Sequence, residues 1–232
     1  MNLTELRHKI NQAISGSDFE SVTYFAGGCV RDYLMGRATQ DYDLCVELNQ
    51  GATLLAEYLF QRGLCEKPVL YPAFGTAKIT MSGHNLELVM TRSEVYPEHS
   101  RHPQVRFAPL KADVLRRDFT INALLMRVYD GEILDLCEQG MADISNCIVR
   151  AVGKPDVIFR EDPLRMLRAI RFAVTLGFVI EPETMKGIRG NASEIRYISR
   201  KRRQAEYANI LGDKHYDEGI RLLSSCGLPQ KI

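Results

Sequence analysis

Residues 24–46 read YFAGGCVRDYLMGRATQDYDLCV, and the fold turns on them. The apolar run Val22–Ala26 predicts a strand, Gly27-Gly28 a turn, and Val30–Met35 a short helix stopped by Gly36. Asp41–Glu47 alternates as a second strand. Gly27 and Gly28 permit positive φ and close approach of backbone N–H groups to a phosphate. Arg31 adds a charge-assisted contact. The order GGxxR departs from the GxGxxG fingerprint and argues against a dinucleotide site. Along a strand, residues i and i+2 share a face, about 6.6 Å apart. Tyr42, Leu44 and Val46 then point to the core, and Asp41 and Asp43 point outward together. Two like charges on one face repel unless a cation lies between them, and carboxylate pairs of this kind hold the ions of two-metal sites. Taken singly, the motifs read as an ordinary tight turn and two solvated acids. Taken together, a phosphate cradle followed by a Mg²⁺-holding pair gives the parts that nucleotidyl transfer needs.

Upstream, Leu3, Leu6, Ile10 and Ile14 recur at helical spacing. Downstream, Ala52–Gln61 predicts a helix, and Ala77–Met81 and Leu86–Thr91 predict strands joined around Gly83-His84-Asn85. Glu87 alternates with Leu86 and Leu88. It is either a third acid facing the metals from a neighbouring strand or an exposed strand residue. Pro97–Pro109, with three prolines, predicts a loop. Asp118–Leu125 predicts a helix leading into the strand Leu125–Val128, and Asp130-Gly131 a hairpin turn into Ile133–Leu136. On such a helix Asp118 and Asn122 stand on one face. Asn122 suits a ribose hydroxyl; an N-terminal cap beside a solvated Arg116-Arg117 pair is the plainer alternative.

Beyond about residue 145 strand signals end at Ile148–Val152 and helices take over: one from Glu161-Asp162-Pro163 to Leu176, then Pro182–Ile188, Ser199–Leu211 and Asp217–Ser225. In the first of these, Leu164, Met166, Leu167, Ile170, Ala173 and Val174 cover most of the circumference. Arg165, Arg168 and Arg171 hold the remaining strip. Buried arginines must be paired or face a polar cavity. A triphosphate or a base edge would serve, and so would Asp156, Glu161 and Asp162.

The chain has 232 residues, 45% hydrophobic and 25% charged, so a packed core is within reach and disorder is not indicated. Lys plus Arg total 30 against 29 acids, so bulk charge does not announce a nucleic-acid binder; the basic run Arg196, Arg200, Lys201, Arg202 and Arg203 is a solvated face or a phosphate contact. None of the six cysteines forms a CxxC pair, which removes the zinc signal and suits a reducing, cytoplasmic setting. The opening MNLTELRHKI carries charge where a signal peptide needs an apolar run. No apolar stretch approaches the ~20 residues of a membrane span.

Five stretches in order, GGCVRDYLMG with DYD, FGTAKI, TRSEVY with SRHPQV, RRDFTINAL, and EDPLRMLRAIRFA, resemble the class II tRNA nucleotidyltransferases. This CCA-adding family shares its head with bacterial poly(A) polymerases. The resemblance implies an α+β fold: a nucleotidyltransferase head with a mixed β-sheet and flanking helices over 1–145, then an all-helical neck over 146–232. It implies Asp41 and Asp43 as Mg²⁺ ligands and catalytic residues, with Glu87 beside them. Gly27, Gly28 and Arg31 would meet nucleotide phosphates, and Arg117, Asp118 and Asn122 the ribose. Asp162 and Arg165 would read the base edges of CTP and ATP, with Arg168 and Arg171 as further nucleotide contacts. The loop around Arg101–Lys111 would assist the switch from C to A. The implied partner is the tRNA 3′ end, with no membrane. A-only, CC-only or poly(A) products remain alternatives, as does a nucleotide- or RNA-binding module without turnover. Family members continue through helical body and tail domains, whereas this sequence stops at Ile232.

Overall fold

The computed structural model describes residues 2–39, 41–95 and 104–230. The chain folds as two compact units, Met1–Arg117 with Asn122–Glu138, and Asp118–Ile121 with Gln139–Ile232.

The first unit opens with helix α1 (Leu3–Ile14). Asn2 caps it by accepting from the Glu5 N–H at 2.9 Å, while Glu5 accepts from the Asn2 N–H at 3.0 Å. Leu3, Leu6, Ile10, Ala13 and Ile14 form its buried stripe. Strand β1 (Thr23–Ala26), helix α2 (Gly28–Leu34), strand β2 (Tyr42–Val46) and helix α3 (Gly51–Gln61) follow. Then come β3 (Val69–Tyr71), β4 (Thr76–Met81), β5 (His84–Met90), β6 (Arg92–Val95), β7 (Gln104–Phe107), helix α4 (Leu110–Leu115), β8 (Leu125–Arg127) and β9 (Ile133–Leu134). Seven strands make one sheet in the order β3-β4-β5-β2-β1-β8-β9. The β2–β5 pair is parallel and the other pairs are antiparallel, so the sheet is mixed.

Period-2 alternation gives this sheet a dry face and a wet one. Tyr42, Leu44 and Val46 on β2, Leu86 and Leu88 on β5, and Ala77 and Ile79 on β4 are all buried. Helix α3 packs on β4 and β5 and buries Leu55, Ala56 and Leu59. Each such leucine or isoleucine contributes about 1.5–3 kcal/mol by leaving water. The opposite face carries Asp43, Glu87 and Lys78, all exposed.

The second unit holds α5 (Gly140–Ser145), β10 (Ile148–Val149), α6 (Pro155–Glu161), α7 (Leu164–Leu176), β11 (Val179–Ile180), α8 (Pro182–Asn191), α9 (Arg200–Leu211) and α10 (Tyr216–Ser225). Helix α7 packs against α9 and α10 and ends at Gly177, whose φ of +73° supplies the left-handed cap. Its Met166, Leu167, Ala169 and Ile170 are fully buried.

Three expectations need correction. Residues 118–125 do not form an α-helix. Phe119 bridges Ala151, the Thr120 N–H donates to the Arg150 carbonyl at 2.9 Å, and only a 3₁₀ turn, Thr120–Asn122, follows. Backbone pairing with a distant segment overrides the local helical pattern, and Asp118 and Asn122 do not share a helix face. Within the expected loop 97–109, residues 104–107 form β7, antiparallel to β6; Arg101 lies outside the described residues. Strand structure also continues past Val152, because β11 pairs in parallel with β10. Among the described residues, no helix is long and apolar enough to cross a membrane.

Candidate active site

The register of the sheet builds the site. Asp43 of β2 stands opposite Glu87 of β5, and Glu87 stands opposite Lys78 of β4. Paired residues share a face, so an acid, an acid and a cation form one row on the wet side. Asp41, one residue before β2, extends the acidic end. These side chains line an open cleft of about 570 Å³ together with Lys67, Val69, Thr80 and Asn85. The Lys78 ammonium lies 3.5 Å from Glu87.

Beside Asp43 on the other flank, β1 runs into Gly27. Its φ of +71° is open to glycine and strained for other residues. A Cβ there would meet Arg117 Nη1 at 3.4 Å, the Asn122 carbonyl at 3.7 Å and Asp43 Oδ2 at 3.9 Å. The backbone of the turn therefore comes close to the Asp43 carboxylate and to Arg117. Gly28 already belongs to α2 and has negative φ. Arg31 is buried, donating from Nη1 to Asn122 Oδ1 at 2.7 Å and from Nη2 to Asp32 at 2.7 Å.

The row is electrostatically loaded. Protein packed around Asp43 disfavours its charge, Glu87 and Asp41 add repulsion, and Arg117 and Lys78 only partly compensate; the carboxyl is raised to about 6. Carboxylate oxygens are hard ligands of the kind Mg²⁺ takes. An accumulation of acid that the protein leaves under-neutralised suits a divalent cation, so Asp41 and Asp43 fit that group. Among the described residues no group of three or more His, Cys, Asp or Glu side chains is gathered around one point where it could hold a metal ion.

Arg117 is held from behind. Its Nη2 donates to Asp113 at 3.0 Å and contacts Cys45 Sγ at 3.1 Å, Nη1 donates to the Asn122 carbonyl at 3.2 Å, and Nε is buried without a partner among the described residues. Asp113, fully buried, also accepts from Arg116 and from the Arg92 N–H at 3.2 Å. Burial by itself would raise its pKa, but the Arg117 and Arg116 guanidiniums outweigh burial and hold it below the usual carboxylate value. Asp113 is a site residue that the motifs do not single out. Its spacing to Arg116 and Arg117, i,i+3 and i,i+4, is the signal that marks it.

The second unit contains the remaining expected residues. Arg168 donates to Asp118 Oδ2 from Nε at 2.7 Å and from Nη2 at 2.6 Å. Arg171 donates to Glu206 at 2.7 Å, and Arg165 to Glu161 at 3.3 Å. Asp162 accepts from Arg202 at 2.8 Å and from the Leu164 N–H at 3.1 Å. Of the three carboxylates expected to pair the arginine strip, Glu161 does so. Asp118 and Glu206, far away in sequence, supply the other partners. Asp118 thus belongs with the α7 arginines, while Arg117 and Asn122 belong with the Asp43 cleft.

Residues 23–150 match the family described as the Poly A polymerase head domain, and residues 177–232 match the one described as the probable RNA and SrmB-binding site of polymerase A. The CCA-adding enzyme of Levilactobacillus brevis is 36% identical over 228 residues, covering 97% of this chain and 55% of that protein. The crystal structure of the Bacillus stearothermophilus CCA-adding enzyme in complex with CTP superposes with a TM-score of 0.81 at 31% identity, over 98% of this chain and 53% of that one. The Thermotoga maritima CCA-adding enzyme complexed with tRNA does so with a TM-score of 0.81 at 28% identity, over 98% and 52%. The chain spans about half the length of the curated relatives it matches. With the head-domain match covering more than half of its residues and the mixed sheet carrying the acids in register, the chain belongs to the class II tRNA nucleotidyltransferase and poly(A) polymerase family.

Proposed function

We propose that the chain transfers nucleotides from CTP and ATP to the 3′ end of tRNA, releasing pyrophosphate. The observation that carries this reading is the row of Asp43, Glu87 and Lys78 beside Asp41 and the Gly27 turn. In this scheme the primer's 3′ oxygen bonds to the α-phosphorus of the incoming nucleotide. The bond from that phosphorus to the β-phosphate oxygen breaks, and pyrophosphate leaves with the electron pair. Glu87 takes the hydroxyl proton and passes it to solvent. Asp41 and Asp43 would hold Mg²⁺, which when bound supplies Lewis-acid polarisation of the phosphoryl oxygens. The Gly27 turn admits the triphosphate close to Asp43 because nothing projects from it. Arg117, fixed by Asp113, balances phosphate charge. Residues 1–145 act as the catalytic head, with Arg31 and Asn122 shaping the nucleotide pocket. Residues 146–232 act as the neck that reads the base.

Base choice falls to Asp162 and Arg165, which offer acceptors and donors to a Watson–Crick edge. A wrong base leaves such groups unpaired at about 1–3 kcal/mol each. Arg168 and Arg171, held by Asp118 and Glu206, add further nucleotide contacts. The test is incorporation of [α-³²P]ATP into tRNA lacking its terminal A. Asp43→Ala should lower it by roughly 10³-fold with an unchanged circular dichroism spectrum. Undiminished incorporation would refute the assignment. Primers ending before C, CC and CCA, resolved on one gel, separate full CCA addition from A-only, CC-only and poly(A) products.

A further inference from the structure

Two oppositely placed cationic groups flank the acidic row, and the proposed reaction needs two phosphate-bearing partners there. The sheet order β3-β4-β5-β2-β1 sets the geometry. On the β1 side of Asp43 lie the Gly27 turn and Arg117. On the β5 side, beyond Glu87, come Lys78 of β4, then Val69 of β3, with Lys67 two residues ahead of it. Lys67 and Lys78 are exposed and line the same cleft as Asp43. Val69 is 51% exposed and Tyr71, next on the same face of β3, is 41% exposed. β3 is the edge of the sheet, and its wet face leaves this apolar and aromatic surface open.

We infer that the β3–β4 flank is the subsite for the primer strand: the phosphodiesters next to the RNA 3′ end bind Lys67 and Lys78, and an unpaired base stacks on Tyr71. This rests on the nucleotidyl-transfer reading above. The triphosphate occupies the Gly27 flank, where the turn itself projects no side chain. The primer occupies the β3–β4 flank, where cations and an exposed aromatic surface lie together. Single strands are bound in this manner, by a cationic track beside stacking platforms. Charge complementarity and continuity with the acidic row favour RNA over an apolar partner. Lys78 exchanges its contact with Glu87 for a phosphate, which returns Glu87 to the reaction.

The test compares the unchanged 232-residue chain with Lys67→Gln/Lys78→Gln, Lys67→Gln alone and Tyr71→Ala. The measurements are KM for tRNA lacking its terminal A, KM for ATP, and the salt dependence of RNA binding by fluorescence anisotropy. The double variant should raise primer KM roughly tenfold and flatten the log K against log salt slope by about 1.4, while the KM for ATP stays within about twofold. Lys67→Gln, which leaves the Lys78–Glu87 pair in place, should give about half of that slope change. Tyr71→Ala should raise primer KM roughly tenfold with no change in slope. An unchanged primer KM in all variants overturns the inference and leaves nucleotidyl transfer standing, since the unchanged chain still extends its primer. A KM for ATP that rises in step with that for primer also overturns it, by assigning the lysines to the triphosphate. Absence of both RNA binding and extension by the unchanged chain overturns the inference together with the reading beneath it.

Discussion

Asp43→Asn should stabilise the protein in the absence of divalent ions, and by an amount that depends on pH. The substitution keeps the shape and removes the charge. In the folded chain burial, then Glu87 and Asp41, raise the carboxyl from 3.8 to about 6. The folded state therefore holds this proton more tightly than the unfolded one. Between 3.8 and about 6 stability falls as pH rises, and the full penalty is present above about 6. An unscreened shift of that size corresponds to about 3 kcal/mol. The carboxylate opens onto a wet cleft, so screening reduces the penalty to about 1 kcal/mol. For a chain of this length that is about 2–4 °C in Tm at pH 7.5, falling to about half at pH 4. Differential scanning fluorimetry in EDTA reads it directly. Added Mg²⁺ should raise the Tm of the parent chain and leave the Asn variant nearly unmoved. An Asn variant no more stable than its parent at pH 7.5, or a gap that does not narrow at pH 4, would refute the picture of an under-neutralised acidic row.

Gly27→Ala should cost about 1–2 kcal/mol through positive φ alone and depress activity further, because its Cβ enters the space between Arg117 and Asp43; urea titration and primer extension read the two effects. Asp118→Ala should cost about 2–3 kcal/mol, since it removes the carboxylate oxygen to which Arg168 donates twice and leaves the guanidinium a longer ion pair with Glu206 at 3.9 Å, and Asp118→Asn should recover part of the loss. Burial pushes the Cys45 thiol up to about 12 and Cys29 to about 11, whereas Cys147 is exposed. Iodoacetamide at pH 8 should therefore mark Cys147 and spare Cys29 and Cys45 on peptide mapping, and comparable labelling of Cys45 would contradict its burial.

What can be read from sequence follows from local periodicity. The helix Leu3–Ile14, the cap at Gly177, and the strands of the sheet's dry face each declare themselves within a dozen residues. Failures fall where distant segments decide. Residues 118–122 carry a helical pattern, yet Phe119 is fully buried beside Phe172 and its backbone pairs near Ala151. Burying that ring contributes more than one short helix would, because isolated helices of this length are marginal in water. The two-residue strands β10 and β11 are too short to carry an alternation, so only their pairing defines them.

The same division runs through the site, and it explains why the arginines are only half legible. That Arg165, Arg168 and Arg171 need partners follows from their place on a largely buried helix. Which partners they have does not follow, because Asp118 and Glu206 lie some fifty residues before and thirty-five after the arginines they bind. For Asp41 and Asp43 the i,i+2 spacing suffices, because Asp43 stands on β2 and Asp41 only one residue ahead of it. Glu87 needs the parallel register of β2 with β5 before it becomes their neighbour. A slip of one residue in that pairing would turn Glu87 into the core and leave Asp43 facing no second acid. The buried Leu86 and Leu88 forbid the slip, since it would expose both. The apolar residues of β5 therefore hold the acidic row in register, and enlarging or emptying that core at Leu86 or Leu88 should disturb the cleft without touching any of its polar residues.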